Sequence, residues 1–159
     1  MPRRALTVSE LTAACVPPDE ETRSLWLRRL RDWSSIGILP AARQHDGTGR
    51  HRLYSRDAVY ATAVLLRLAD LGIPIGNLRS VARLINAPRR RAAEQEFRRF
   101  WREAKMLPNA VDAYYLAITP KRGEPGITFY RQVQGRMILD NDDAWAVINL
   151  TQLFRKLSQ

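Results

Sequence analysis

Arginine is the residue type best placed to do chemistry in this sequence. Arg28, Arg29 and Arg31 sit in one run with Trp26, Leu30 and Trp33. A second group, Arg50, His51, Arg52 and Tyr54, follows an Asp46-Gly47 pair and is preceded by Arg43. A guanidinium is a planar fork of donors. It pairs bidentately with phosphate oxygens and with guanine O6 and N7. Two such groups on adjacent elements point to a polyanion as the partner.

The composition agrees. The net charge is +10, and of 26 basic residues only Lys105, Lys121 and Lys156 are lysine. The codon bias of a GC-rich genome would give the same preference for arginine. The charge is uneven. Residues 1–86 hold 13 basic and 8 acidic side chains, residues 87–111 hold 7 and 3, and residues 112–159 hold 6 and 5. Polyanion binding is therefore expected in the first two-thirds.

Other chemistries find little support. Ser, His and Asp occur in no nucleophilic arrangement, and no Gly-rich loop could cradle a phosphate. The expectation is a non-enzyme without cofactor. His45 and His51 lack Cys or carboxylate partners at metal-ligand spacing, so no metal is expected. The single Cys15 cannot form an internal disulfide, which suggests a reducing compartment. Its neighbours Ala13, Ala14 and Val16 mark it as a small buried apolar residue. The start Met1-Pro2-Arg3-Arg4 has no apolar region behind it and does not read as a signal peptide. No apolar run approaches the ~18 residues of a membrane span. The expected location is cytoplasmic, on the nucleoid.

The elements that must position the arginines follow from periodicity. Residues 6–16 read as a short helix capped by Ser9, with Leu11, Ala14 and Cys15 on one side. Pro17-Pro18 stops it. Asp19-Glu20-Glu21 place negative charge where a second helix begins. That helix runs to about Ser35, with Trp26, Leu30 and Trp33 as its buried stripe. Arg28, Arg29 and Arg31 fall off the stripe, and Gly37 ends the helix. Asp46-Gly47 is a hairpin turn, so residues 41–54 read as a short two-stranded wing with a basic tip. Ser55 caps a third helix ending at Gly72, and Pro74 opens a fourth.

Residues 89–107 read as an amphipathic helix with Phe97, Phe100 and Ala104 at helical spacing. The period then changes to 2. Tyr114–Thr119, Ile127–Val133, Arg136–Leu139 and Trp145–Ile148 read as four short strands, and Leu150–Leu157 as a closing helix.

Helix, turn, basic helix, basic wing and two further helices form the order of a winged helix-turn-helix. Here the chain resembles the MerR-like family of transcriptional regulators. The resemblance is carried by Leu30-Arg31-Asp32-Trp33-Ser34-Ser35-Ile36-Gly37-Ile38-Leu39-Pro40, by Arg43, by Gly49-Arg50-His51-Arg52-Leu53-Tyr54-Ser55, and by the segment from Leu68 to Arg79 containing Leu71-Gly72. It implies that Arg31 meets a backbone phosphate and that Arg52 is the wing arginine. Tyr54 would anchor the wing and touch phosphate, and Trp33 would hold the aromatic position. The stretch between Val16 and Leu30 is longer than the family pattern. His51 and Arg50 stand where the family has an aromatic and a second glycine.

The expected fold is mainly α with a small β-rich C-terminal part. Residues 1–86 would be the winged helix-turn-helix and 87–108 a linking, dimerising helix. Residues 109–159 would be an antiparallel β-meander plus terminal helix. The expected function is sequence-specific binding of double-stranded DNA as a transcriptional regulator. Arg28, Arg29, Arg31, Arg43, Arg50, His51, Arg52 and Tyr54 form the expected contact set. Phe97, Phe100, Trp101 and Ala104 are read as the seam of a homodimer, with an intramolecular core as the alternative. RNA polymerase or another protein would be met through the C-terminal part. Two other readings remain open: an architectural or excisionase-like factor of a mobile element, and a protein-interaction adaptor with an incidental basic surface.

Overall fold

Thr7 and Glu10 start the first helix by satisfying each other's backbone. The Thr7 hydroxyl accepts from the Glu10 N–H at 3.3 Å, and the Glu10 carboxylate accepts from the Thr7 N–H at 2.8 Å. This reciprocal capping box fills two donors that a helix start otherwise leaves unpaired. It corrects the expectation that Ser9 is the cap, since Ser9 has Thr12 rather than an acid three residues on. Helix α1 then spans Val8–Cys15. Its inward face is Leu11 and Thr12 rather than Ala14, which is exposed. The buried Thr12 hydroxyl donates to the Val8 carbonyl at 2.7 Å.

The protein is described by a computed structural model covering residues 5–16, 19–39, 52–86, 92–106, 113–119, 126–132 and 146–157. It is mainly helical with a small antiparallel sheet towards the C-terminus. The chain divides into two compact units, Met1–Ala63 and Val64–Gln159. The division falls inside a helix, upstream of the boundary after residue 86 read from the sequence.

In the first unit, Asp19 caps α2 (Glu20–Ser35) by accepting from the Thr22 N–H at 2.8 Å. Trp26, Leu30 and Trp33 are buried as their spacing requires, and Ser34 joins them. The Trp26 and Trp33 rings meet edge to face, 6.2 Å apart. Gly37 ends the helix at φ +76°. The Ile38 N–H reaches back to the Trp33 carbonyl and the Gly37 N–H to that of Ser34. This closure needs a left-handed residue, so glycine is required. Ile38 and Leu39 turn into the core behind it.

α3 (Asp57–Asp70) contributes its first half to this unit, burying Val59, Ala61 and Ala63. The Cys15 thiol donates to the Val59 carbonyl at 3.4 Å, and burial pushes its pKa up to about 12. The backbones of Leu6 and Tyr54 exchange two hydrogen bonds of 2.8 Å as an isolated antiparallel bridge.

In the second unit, Gly72 ends α3 at φ +80°, and the Pro74 carbonyl accepts the first bonds of α4 (Ile75–Asn86). α5 (Ala92–Met106) follows. Strands β1 (Ala113–Thr119), β2 (Gly126–Gln132) and β3 (Ala146–Asn149) form an antiparallel sheet in the order β2-β1-β3. α6 (Leu150–Leu157) begins at the residue after β3, its first turn capped by Asn149.

The sheet corrects the expected meander. A meander would leave β1 at an edge, but the run read as a fourth strand pairs back onto β1. The residues explain the central place. Tyr114, Leu116 and Ile118 alternate into the core on one face, and Ala117 is also fully buried on the other. The expected strand Arg136–Leu139 lies outside the described residues.

Candidate nucleic-acid interface

The outward face of α2 is set by its inward one. With Trp26, Leu30, Trp33 and Ser34 buried, the 100° step per residue turns Ser24, Arg28, Arg31 and Ser35 away from the core. Arg28, Arg29 and Arg31 are all exposed. Arg29 folds along its own helix, its guanidinium carbon 4.8 Å from the centre of the Trp26 ring. That cation–π contact engages its flat face and leaves the donors at its edge available. Arg28 and Arg31 make no side-chain hydrogen bond or ion pair with another described residue.

The charge along α2 is ordered. Asp19, Glu20 and Glu21 outweigh Arg23 in its first half, and Arg28, Arg29 and Arg31 outweigh Asp32 in its second. The acids complement the positive end of the helix dipole. The Asp19 carboxyl is held below its ordinary pKa, first by the hydrogen bond from Thr22. A phosphate would therefore be repelled at the α2 N-terminus and drawn towards the half that bears Arg28 and Arg31.

The C-terminal end of α2 is joined to the segment read as the second wing strand. One nitrogen of Arg52, Nη1, donates to both oxygens of Ser34: the backbone carbonyl and, at 2.9 Å, the hydroxyl. The Tyr54 hydroxyl donates to the same Ser34 Oγ at 2.5 Å. Ser34 is 7% exposed and Tyr54 0%. A serine oxygen has two lone pairs, and these two donors fill them. The cation also sits where a helix end has excess carbonyl charge.

The expected contact set therefore divides. Arg28 and Arg31 share one exposed helix face, and Arg29 is exposed on its flank beside Trp26. Arg52 is exposed but partly engaged at Ser34. Tyr54 does anchor its segment, but its complete burial removes it from any phosphate contact, which corrects that part of its expected role. Arg43, Arg50 and His51 lie outside the described residues, as does His45. Among the described residues no group of three or more His, Cys, Asp or Glu side chains could hold a metal. No described helix is long and apolar enough to cross a membrane.

Of the four residues of the expected dimer seam, Trp101 and Ala104 are buried within the chain itself, as the intramolecular alternative has it. Trp101 is 8% exposed and Ala104 0%. Trp101 packs edge to face on Phe154 of α6 at 5.0 Å, and Phe100 meets Tyr114 of β1 at 5.7 Å. The Tyr114 hydroxyl donates to Glu103 of α5 at 2.7 Å. These side chains are engaged in the core of their own unit. The Phe97 side chain lies outside the described residues.

Sequence reasoning missed Ser34. Its position, four residues after Leu30, puts it beside the buried stripe, and a buried hydroxyl requires a partner. That requirement was the available sign. No protein-family model and no curated protein matches this sequence.

Proposed function

We propose that this protein binds double-stranded DNA through its first unit, as a sequence-specific transcriptional regulator of winged helix-turn-helix type. α2 would enter the major groove with Arg28 and Arg31 towards the DNA. The hairpin that returns at Arg52 would lie on flanking phosphates. The observation that carries the reading is the exposed arginine face of α2, backed by a buried Trp26/Leu30/Trp33 stripe. A rigid helix with outward guanidinium groups suits the groove, where side-chain forks meet base edges. The overall charge of +10 supports the same partner. The MerR-like resemblance of residues 30–55 is consistent with it.

The engagement of Trp101 and Ala104 within the chain favours a second reading inside DNA binding. Without that seam, a protomer would bind as an architectural or excisionase-like factor on direct repeats, rather than as a dimer on a palindrome. One experiment serves both. Duplexes selected from a random pool by the full-length protein should share a short motif. Inverted half-sites would mark the regulator and direct repeats the architectural factor. Enrichment of no motif, with affinity independent of salt, would reject DNA binding altogether.

A further inference from the structure

We infer that Ser34 is a positioning residue for DNA binding, fixing the Arg52 guanidinium so that its remaining edge takes a backbone phosphate beside Arg31. This rests on the DNA-binding reading and adds a residue and a division of labour to it.

Both hydrogen bonds from Arg52 leave from Nη1. A guanidinium has five N–H donors in a rigid plane, so Nε and Nη2 retain three. None of these three has a described partner, and Arg52 is exposed. The Nε/Nη2 edge has the fork geometry that matches two oxygens of one phosphate. A free arginine must freeze several side-chain torsions to present that edge, at a cost in conformational entropy. Here Ser34 already holds one end.

Ser34 is itself held. Its carbonyl closes the Gly37 turn at the end of α2, and its hydroxyl oxygen accepts a hydrogen bond from the Tyr54 hydroxyl. Tyr54 is paired through its backbone with Leu6, directly ahead of the Thr7 cap of α1. The guanidinium is thus referenced to α2 itself. Arg31 lies one turn before Ser34 on the same helix, so the two cations would meet neighbouring phosphates of one strand. An exposed arginine tethered only by its own torsions would not keep that relation.

The test is a double-mutant cycle on full-length protein, with a fluorescent duplex and a salt titration. Ser34→Ala removes the hydroxyl and leaves the carbonyl, so it should lower the slope of log K against log salt by part of the about one unit that marks a lost phosphate contact. Arg52→Ala should lower it by the full unit, and the double variant should be no weaker than Arg52→Ala alone. Ser34→Ala leaves the Tyr54 hydroxyl unpaired, so Ser34→Ala with Tyr54→Phe is measured beside it. That pair restores an apolar match and should show the same lost slope. Arg52→Lys should keep part of the salt dependence without the bidentate fit. A purely structural Ser34 would lower the melting temperature, leave the slope intact and add its effect to that of Arg52→Ala. That outcome overturns the inference while DNA binding stands. A wild-type protein with no salt-dependent duplex affinity overturns both.

Discussion

Replacing Trp101 by alanine separates an internal core from a dimer seam. Trp101 is 8% exposed, packed on Phe154 and beside the fully buried Ala104. An aromatic side chain of this size buries about 150–250 Å². At about 25 cal/mol per Å² that is about 4–6 kcal/mol, an upper bound because denatured chains already bury some area. Alanine keeps the β-carbon, and comparable truncations cost about 3–5 kcal/mol. The expected loss is about 4 kcal/mol, or a fall of about 2 M in urea midpoint at an m-value near 2 kcal/mol/M. The assay is urea unfolding followed by far-UV circular dichroism, repeated over a wide range of protein concentration. An internal core gives a wild-type midpoint that does not move with concentration, and a variant lower by the same amount throughout. Mass action makes a seam behave differently. If the wild-type midpoint climbs with concentration and Trp101→Ala abolishes that climb, the residue faces a second copy and its internal placement is refuted.

Further outcomes are expected. Arg31→Ala should weaken binding to all duplexes and reduce the salt slope by about one unit, measured by anisotropy on specific and random DNA. Arg28→Ala should instead relax preference at one base pair, costing about 1–3 kcal/mol on the selected site and little on random duplex. Asp19 contributes fully to α2 above its ordinary value of 3.8, and its contribution is lost as pH falls through the lowered folded value. Asp19→Asn, which still caps, should remove that part of the acid sensitivity of helix content by circular dichroism. For Cys15 the sign is opposite in pH. Its folded pKa of about 12 lies above the ordinary value of 9.0, so stability declines as pH rises between them. Cys15 is half-buried, so at neutral pH an aromatic disulfide reagent should label it far more slowly in the folded protein than in denaturant.

Much of the helical frame was legible because its causes are local. The acidic start of α2 at Asp19–Glu21, the Trp26/Leu30/Trp33 stripe, Gly37 and Gly72 as helix stops, and Leu150–Leu157 as the closing helix all follow from spacing and backbone chemistry. The Thr7–Glu10 box was equally local, and Ser9 competed with it only as a residue type. What escaped depends on distant partners. The central place of β1 is decided by which strand returns to it, and the intervening turns do not encode that. The tie among Ser34, Arg52 and Tyr54 spans 18 and 20 positions. Arg28 and Arg31 were legible as an outward face, while the engagement of Arg52 at Ser34 was not. For Trp101 and Ala104, an amphipathic helix shows which side seeks cover but not whether the cover is its own chain.

The direct passage from β3 into α6 has a consequence for how the sheet finds its pairing. Asn149 is at once the partner of Tyr115 and the cap of the helix. With no loop to absorb error, a slip of one residue between β3 and β1 would displace α6 by about 3.3 Å and invert the strand's faces. Phe154 would leave Trp101, and the Thr151 hydroxyl, which accepts from the Tyr114 N–H at 2.9 Å, would lose its donor. Short strands are prone to such slips. Here the helix acts as a proofreader, because only one alignment lets its aromatic and its hydroxyl both find their seats.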